Sequence, residues 1–164
     1  MFKWMKLFDN QYLGFWILGL VLFAIQEIPY MIMPLLKLKS NPIMTMQESS
    51  IILNTCEKLL GSLCIAFMMF IVCDEKTILS INGPQELFFF TITICVLILK
   101  FFGCFLYFTG HQSIFVMMFF IVMMPPLFYV FIGLWRSNIL LSIIGCIFLG
   151  VHFTHVLGNL KISL

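Results

Sequence analysis

Charge is what this chain has least of. Of its 164 residues 10% are charged, against about 25% in a soluble domain, and 62% are hydrophobic. A water-soluble fold needs a polar surface, and there is too little polar material here to make one. No basic run is present, which removes nucleic acid as a partner. The net charge of +2 supports only a weak attraction to anionic headgroups.

Catalytic and metal-binding signatures are also missing. The six cysteines, Cys56, Cys64, Cys73, Cys95, Cys104 and Cys146, contain no Cys-x-x-Cys pair. That excludes the disulfide framework of small secreted domains and the paired thiols of a membrane oxidoreductase. They read as small apolar packing residues. There is no HExxH, no histidine-rich hydroxylase set, no phosphate loop and no serine–histidine–acid arrangement. Met31 and Met33, with Met44 and Met46, flank the first loop, and thioethers suit Cu(I). With 12 methionines in the chain they read as apolar filler. No cofactor is expected.

What is present is a series of long apolar stretches. The expected fold is an all-α integral membrane protein, one domain over residues 1–164. It is an antiparallel bundle of about five transmembrane helices over 12–36, 51–73, 87–108, 114–135 and 139–157, the first and fourth kinked or broken by proline. Four spans with a re-entrant first segment is the alternative. Lys3 and Lys6 ahead of the first apolar run resemble the start of a signal peptide. No small-x-small cleavage site follows, so the run is expected to stay as the first span.

Punctuation along the chain supports these bounds. Pro29 removes a backbone donor inside span one and pushes Ile28 away from the α region. Thr45-Met46-Gln47-Glu48 has the spacing of a capping box, which would start helix two. Asp74-Glu75-Lys76 and Asn82-Gly83-Pro84 mark a loop. Pro125-Pro126 interrupts span four near its centre. Short connections around Gly110 and Ser137 make spans three, four and five antiparallel neighbours. Lys3, Lys6, Lys76 and Arg136 on one side, against Lys37, Lys39 and Lys161 on the other, favour an inside N-terminus slightly.

The informative charges are those inside apolar stretches. An ionised side chain in hydrocarbon costs at least about 3 kcal/mol. Glu27, Glu57, Lys58 and Lys100 sit in such stretches, and His152 and His155 lie in the last one. Folding the antiparallel spans about their loops sets Glu27 near Lys58, Lys58 near Lys100, Lys100 level with Val122, and Val122 level with His152. One slab would then hold these residues beside the Pro125-Pro126 break. Glu57 and Lys58 point about 100° apart on a helix, so each is expected to pair with another span: Glu27 with Lys58, and Glu57 with Lys100.

This pattern points to an intramembrane polar cluster that handles a proton, an ion or a small polar substrate. The site residues expected are Glu27, Glu57, Lys58, Lys100, His152 and His155, with Pro29, Pro125 and Pro126 as hinges. Carboxylates would take the cation or proton, lysines would neutralise them when empty, and His152 would relay protons. A small transporter, a channel-type protein or a subunit of a membrane complex fits this chemistry. A membrane-embedded enzyme acting on a lipid or quinone, and a structural or immunity-type interaction protein, are the rival classes. The expected partners are the lipid bilayer and either further copies of the chain or another membrane subunit. Phe-, Ile-, Lys- and Met-rich usage fits a bacterial cytoplasmic membrane.

Overall fold

The computed structural model of the chain describes residues 2–73 and 76–163. The expected loop acids Asp74 and Glu75 lie outside the described residues. The fold is mostly helical, with a small sheet at one end that the all-α expectation did not contain. Strand β1 (Phe2–Phe8) and strand β2 (Gln11–Phe15) form an antiparallel hairpin, and β2 pairs with β3 (Ile71–Cys73). Met5 stands opposite Leu13, and Tyr12 opposite Val72. Asp9 and Asn10 close the hairpin, with Asp9 at a φ of 45°, a conformation Asp and Asn tolerate. Gly14 lets the strands meet, since a Cβ there would stand 2.1 Å from the Phe2 carbonyl oxygen.

The helices are α1 (Ile17–Ile32), α2 (Pro42–Thr45), α3 (Ile51–Phe70), α4 (Pro84–Phe108), a π-helical stretch (Val116–Val122) continued by α5 (Met124–Trp135), and α6 (Ile139–Ser163). Four are long and apolar enough to cross a membrane: Ile51–Phe70, Pro84–Phe108, Val116–Trp135 and Ile139–Ile162. The expected first span is corrected. Residues 12–15 belong to β2, and the 16 residues of α1 reach about 24 Å, short of the ~30 Å hydrocarbon core. The pairing of β2 with β3, distant in sequence, takes the first turn away from the helix.

Other boundaries move for local reasons. Helix α3 starts at Ser50, whose hydroxyl accepts from the Leu53 N–H at 3.4 Å. The Thr45–Glu48 capping box does not form: Thr45 donates to the Asn41 carbonyl within the turn of α2, and Glu48 accepts from the Asn54 amide. Pro29 sits inside α1, which continues to Ile32. Pro125 and Pro126 occupy the first turn of α5, where a missing N–H is tolerated. The chain therefore changes helix type ahead of them.

The Val116–Trp135 segment is the centre of the bundle, 72% of its apolar window being buried. It packs against α4 on one side and α6 on the other, and α6 packs against α3. Gly103 of α4 permits the closest of these approaches. A Cβ there would stand 2.0 Å from the Phe120 Cβ.

The sheet end is closed by aromatic and polar contacts. The Trp16 indole donates to the Ile78 carbonyl and the Trp135 indole to the Ser80 carbonyl, each at 2.9 Å. The Arg136 guanidinium donates to the Thr77 carbonyl at 2.8 Å and lies 4.7 Å from the Trp16 ring centre and 5.6 Å from that of Trp135. Burial pulls its pKa down to about 10, so it remains a cation at neutral pH. Lys76 pairs with Glu86, which also accepts from the Asn82 N–H at 2.9 Å.

Candidate functional site

Glu57 projects from α3 toward α6, on the same stripe as Gly61. Phe148 of α6 packs over Gly61, its ring 3.5 Å from where a Cβ would stand, an ordinary contact distance. His152 and His155, three residues apart, present their imidazoles from one side of α6. The Glu57 carboxylate lies between them. Its Oε2 is hydrogen-bonded to His155 Nδ1. Its Oε1 is 3.1 Å from His152 Nδ1, within ion-pair distance but not aligned as a hydrogen bond. The Phe148 ring covers His152 with centres 5.2 Å apart.

A second layer of bonds orients His155. The Asn159 side-chain oxygen accepts from the Ser49 backbone N–H at 2.7 Å. That turns the Asn159 amide nitrogen toward His155 Nε2, 3.2 Å away. An amide nitrogen only donates, so Nε2 is the acceptor and Nδ1 carries the proton. This tautomer is assigned from the network. Neutral His155 therefore donates to Glu57. The His155 side chain is 6% exposed, His152 15% and Glu57 22%, so the carboxylate sits at the lip of the seam with the imidazoles behind it.

Beside this seam is a deeper polar layer. Lys100 of α4 is buried, 1% exposed. Its ammonium donates to the Gln26 carbonyl and lies 4.5 Å from the centre of the Tyr30 ring. The Tyr30 hydroxyl donates to the Ile121 carbonyl at 2.9 Å. In a regular helix that carbonyl would be served by the N–H of residue 125, but Pro125 has none. Tyr30 thus supplies the donor that the proline removes. Pro29 likewise lacks the N–H that would serve Ile25, and Lys100 binds the carbonyl of the adjacent residue in the same turn. Glu27 is half-buried and within electrostatic reach of Lys100 and Tyr30, while Tyr30 is also within reach of Glu57.

The expected slab has a counterpart in depth but not in pairing. Glu57 lies about 9 Å along α3 from its start, and Lys100 and His155 about 12 Å from the ends of α4 and α6. All three are measured from the same end of the bundle. The expected pairs are corrected: among the described residues Glu57 meets His152 and His155 rather than Lys100, and Glu27 makes no ion pair with Lys58. Lys58 is exposed on α3, because one residue of rotation carries it off the face that holds Glu57. Pro29, Pro125 and Pro126 are buried and packed among the residues just described.

Three participants were missed: Tyr30, Asn159 and Ser49. Asn159 carried a usable signal. It follows His155 by one helical turn on the same stripe, but lies beyond the expected end of span five at Leu157. Tyr30 and Ser49 carried none, since their roles depend on which carbonyl or amide the fold brings to them. Among the described residues, no group of three or more His, Cys, Asp or Glu side chains has a geometry that could hold a metal ion. No family model matches the chain, and no curated protein or solved structure matches it.

Proposed function

We propose that this chain is a multi-pass membrane protein that handles protons at the α3–α6 seam, as a small transport or channel-type protein. The observation that carries this reading is Glu57, a carboxylate in an apolar helix whose charged-group contacts are two imidazoles. A lysine or arginine partner would hold it permanently ionised. An imidazole can both donate and accept a proton, so a carboxylate set between two of them has partners through which a proton can pass.

The proton balance is simple. Neutral His155 holds its proton on Nδ1 and donates to the Glu57 carboxylate. When the Asn159 amide swings away, Nε2 is free to accept a proton from the loop end, giving an imidazolium beside a carboxylate. Transfer of the Nδ1 proton to Glu57 leaves a neutral imidazole and a neutral carboxyl, a pair that apolar surroundings favour over two charges. His152, within ion-pair distance of the other oxygen, is placed to take that proton onward. The Lys100 layer serves a different purpose in this reading: Tyr30 satisfies the Ile121 carbonyl at the Pro125 break, and Lys100 ties α4 to α1 through the Gln26 carbonyl. A second copy of the chain or another membrane subunit over the partly exposed carboxylate would complete the wall of the path.

The test is proton flux. The full chain is reconstituted into vesicles that enclose a pH-sensitive dye, and a potassium diffusion potential is imposed. Flux above that of protein-free vesicles is expected for the native sequence and for Lys58→Gln, and its loss for Glu57→Gln. A native protein with no flux, or Glu57→Gln with full flux, defeats the reading.

A further inference from the structure

We propose that the pocket between the loop after α1 and the C-terminal turn of α4 binds a phosphate-bearing anion, the headgroup of an anionic phospholipid. The pocket has a volume of about 530 Å³ and lies at the opposite end of the bundle from the sheet. That volume is within the range of ligand sites, roughly 300–1,000 Å³. Lys37 and Lys39 both line it, no aspartate or glutamate does, and neither lysine makes an ion pair among the described residues. Two exposed ammonium groups two residues apart on one loop make a site for a single anion.

The obvious objection is the end of α4, whose free carbonyls would repel an anion. Three of the last four are already taken. The Thr109 hydroxyl bonds the Phe105 and Leu106 carbonyls, the His111 N–H bonds that of Leu106 at 2.9 Å, and the Gln112 amide reaches that of Tyr107 at 3.3 Å. The same Gln112 amide donates to the Ser40 carbonyl at 2.8 Å, which ties the lysine loop to α4. The wall is therefore preorganised, and three carbonyls of its negative pole face donors rather than the pocket.

The surroundings select a lipid over a free ion. Phe108 and Leu38 form an apolar side of the pocket. Leu35 and Met31, on the stretch leading into the loop, are 78% and 69% exposed. A ligand with an anionic head and an apolar tail satisfies both surfaces, and helix ends are where headgroups lie. The nearby acid Glu48 is engaged by the Asn54 amide. The proposal is independent of proton handling and requires only that the long helices cross a membrane.

The experiment is lipid binding by the full chain in detergent, read by native mass spectrometry with phosphatidylglycerol and phosphatidylcholine as probes. Phosphatidylglycerol is expected to bind preferentially. Lys37→Gln and Lys39→Gln should each weaken it about fivefold, the arginine double variant should retain it, and Lys161→Gln, outside the pocket, should leave it unchanged. Equal binding of the two lipids, or an unchanged preference in the double glutamine variant, overturns the proposal. Inorganic phosphate is the second arm. Displacement of phosphatidylglycerol by low millimolar phosphate overturns the lipid assignment in favour of a free anion, and resistance to it supports the headgroup.

Discussion

The Tyr30 hydroxyl donates to the Ile121 carbonyl at 2.9 Å, in the position that the N–H of residue 125 would hold if it were not a proline. One side chain from α1 repairs the backbone of the central helix. The proline break and the tyrosine form a single unit, although ninety-one residues separate Tyr30 from Ile121.

Tyr30→Phe isolates that hydroxyl, because the ring that faces Lys100 is kept. Ile121 is buried, 1% exposed, so its carbonyl would lose its donor with no water to replace it. A loss of about 1–2 kcal/mol is expected, read by reversible unfolding in mixed micelles. A variant as stable as the native chain would show that the π-helical stretch satisfies this carbonyl without α1.

Asn159→Leu tests the tautomer. Nitrogen-15 spectra of the native protein, taken above the titration range of histidine, are expected to place the His155 proton on Nδ1. Without the amide donor at Nε2, the other tautomer should become populated in the variant. Finding the native proton on Nε2 would contradict the chain of bonds from Ser49 through Asn159 to Glu57.

Lys100→Glu is expected to be among the most damaging single changes. It would set a buried anion against the Gln26 carbonyl oxygen and the neighbouring Glu27, with no cation in place. An uncompensated buried charge costs about 3–5 kcal/mol. The expected outcome is loss of folded, monodisperse protein after extraction. Recovery at native yield and melting temperature would mean that the site opens to water.

Gly103→Ala probes the closest approach in the bundle. The added methyl would stand 2.0 Å from the Phe120 Cβ, an atom fixed to its backbone, so α4 and the π-helical stretch must separate. Overpacking of this kind costs about 1–3 kcal/mol. Gly150→Ala is the control, since nothing lies within 4 Å of a Cβ there. Equal melting temperatures for the two variants would refute this packing.

Much of this architecture was readable from residues alone. The apolar stretches located four long helices, with ends off by up to six residues at Ser163 of α6, because a helix that buries or exposes apolar surface along its whole length leaves a long unbroken run. The proline pair marked the interruption in the central helix for a similarly local reason. The sheet was not readable as such. Phe2–Phe8 mixes aromatic, lysine and aliphatic residues without a clean alternation, and β3 continues directly from the apolar run of α3. Asp9 and Asn10 favour a turn, but two such residues between these segments do not by themselves specify a hairpin.

The sequence by itself determined which residues are costly to place in an apolar setting: Glu27, Glu57, Lys58, Lys100, His152 and His155 stand out because desolvation of a polar group is a property of the group. It also determined their approximate depth, since rise per residue and short loops set where antiparallel helices stand level. Only the tertiary structure decided the partners. A helix turns about 100° per residue, so a small change in rotation decides whether Glu57 or Lys58 faces α6, and depth alone contains no information about rotation. That is why Glu57 meets two histidines, Lys100 meets a backbone carbonyl, and Lys58 faces outward.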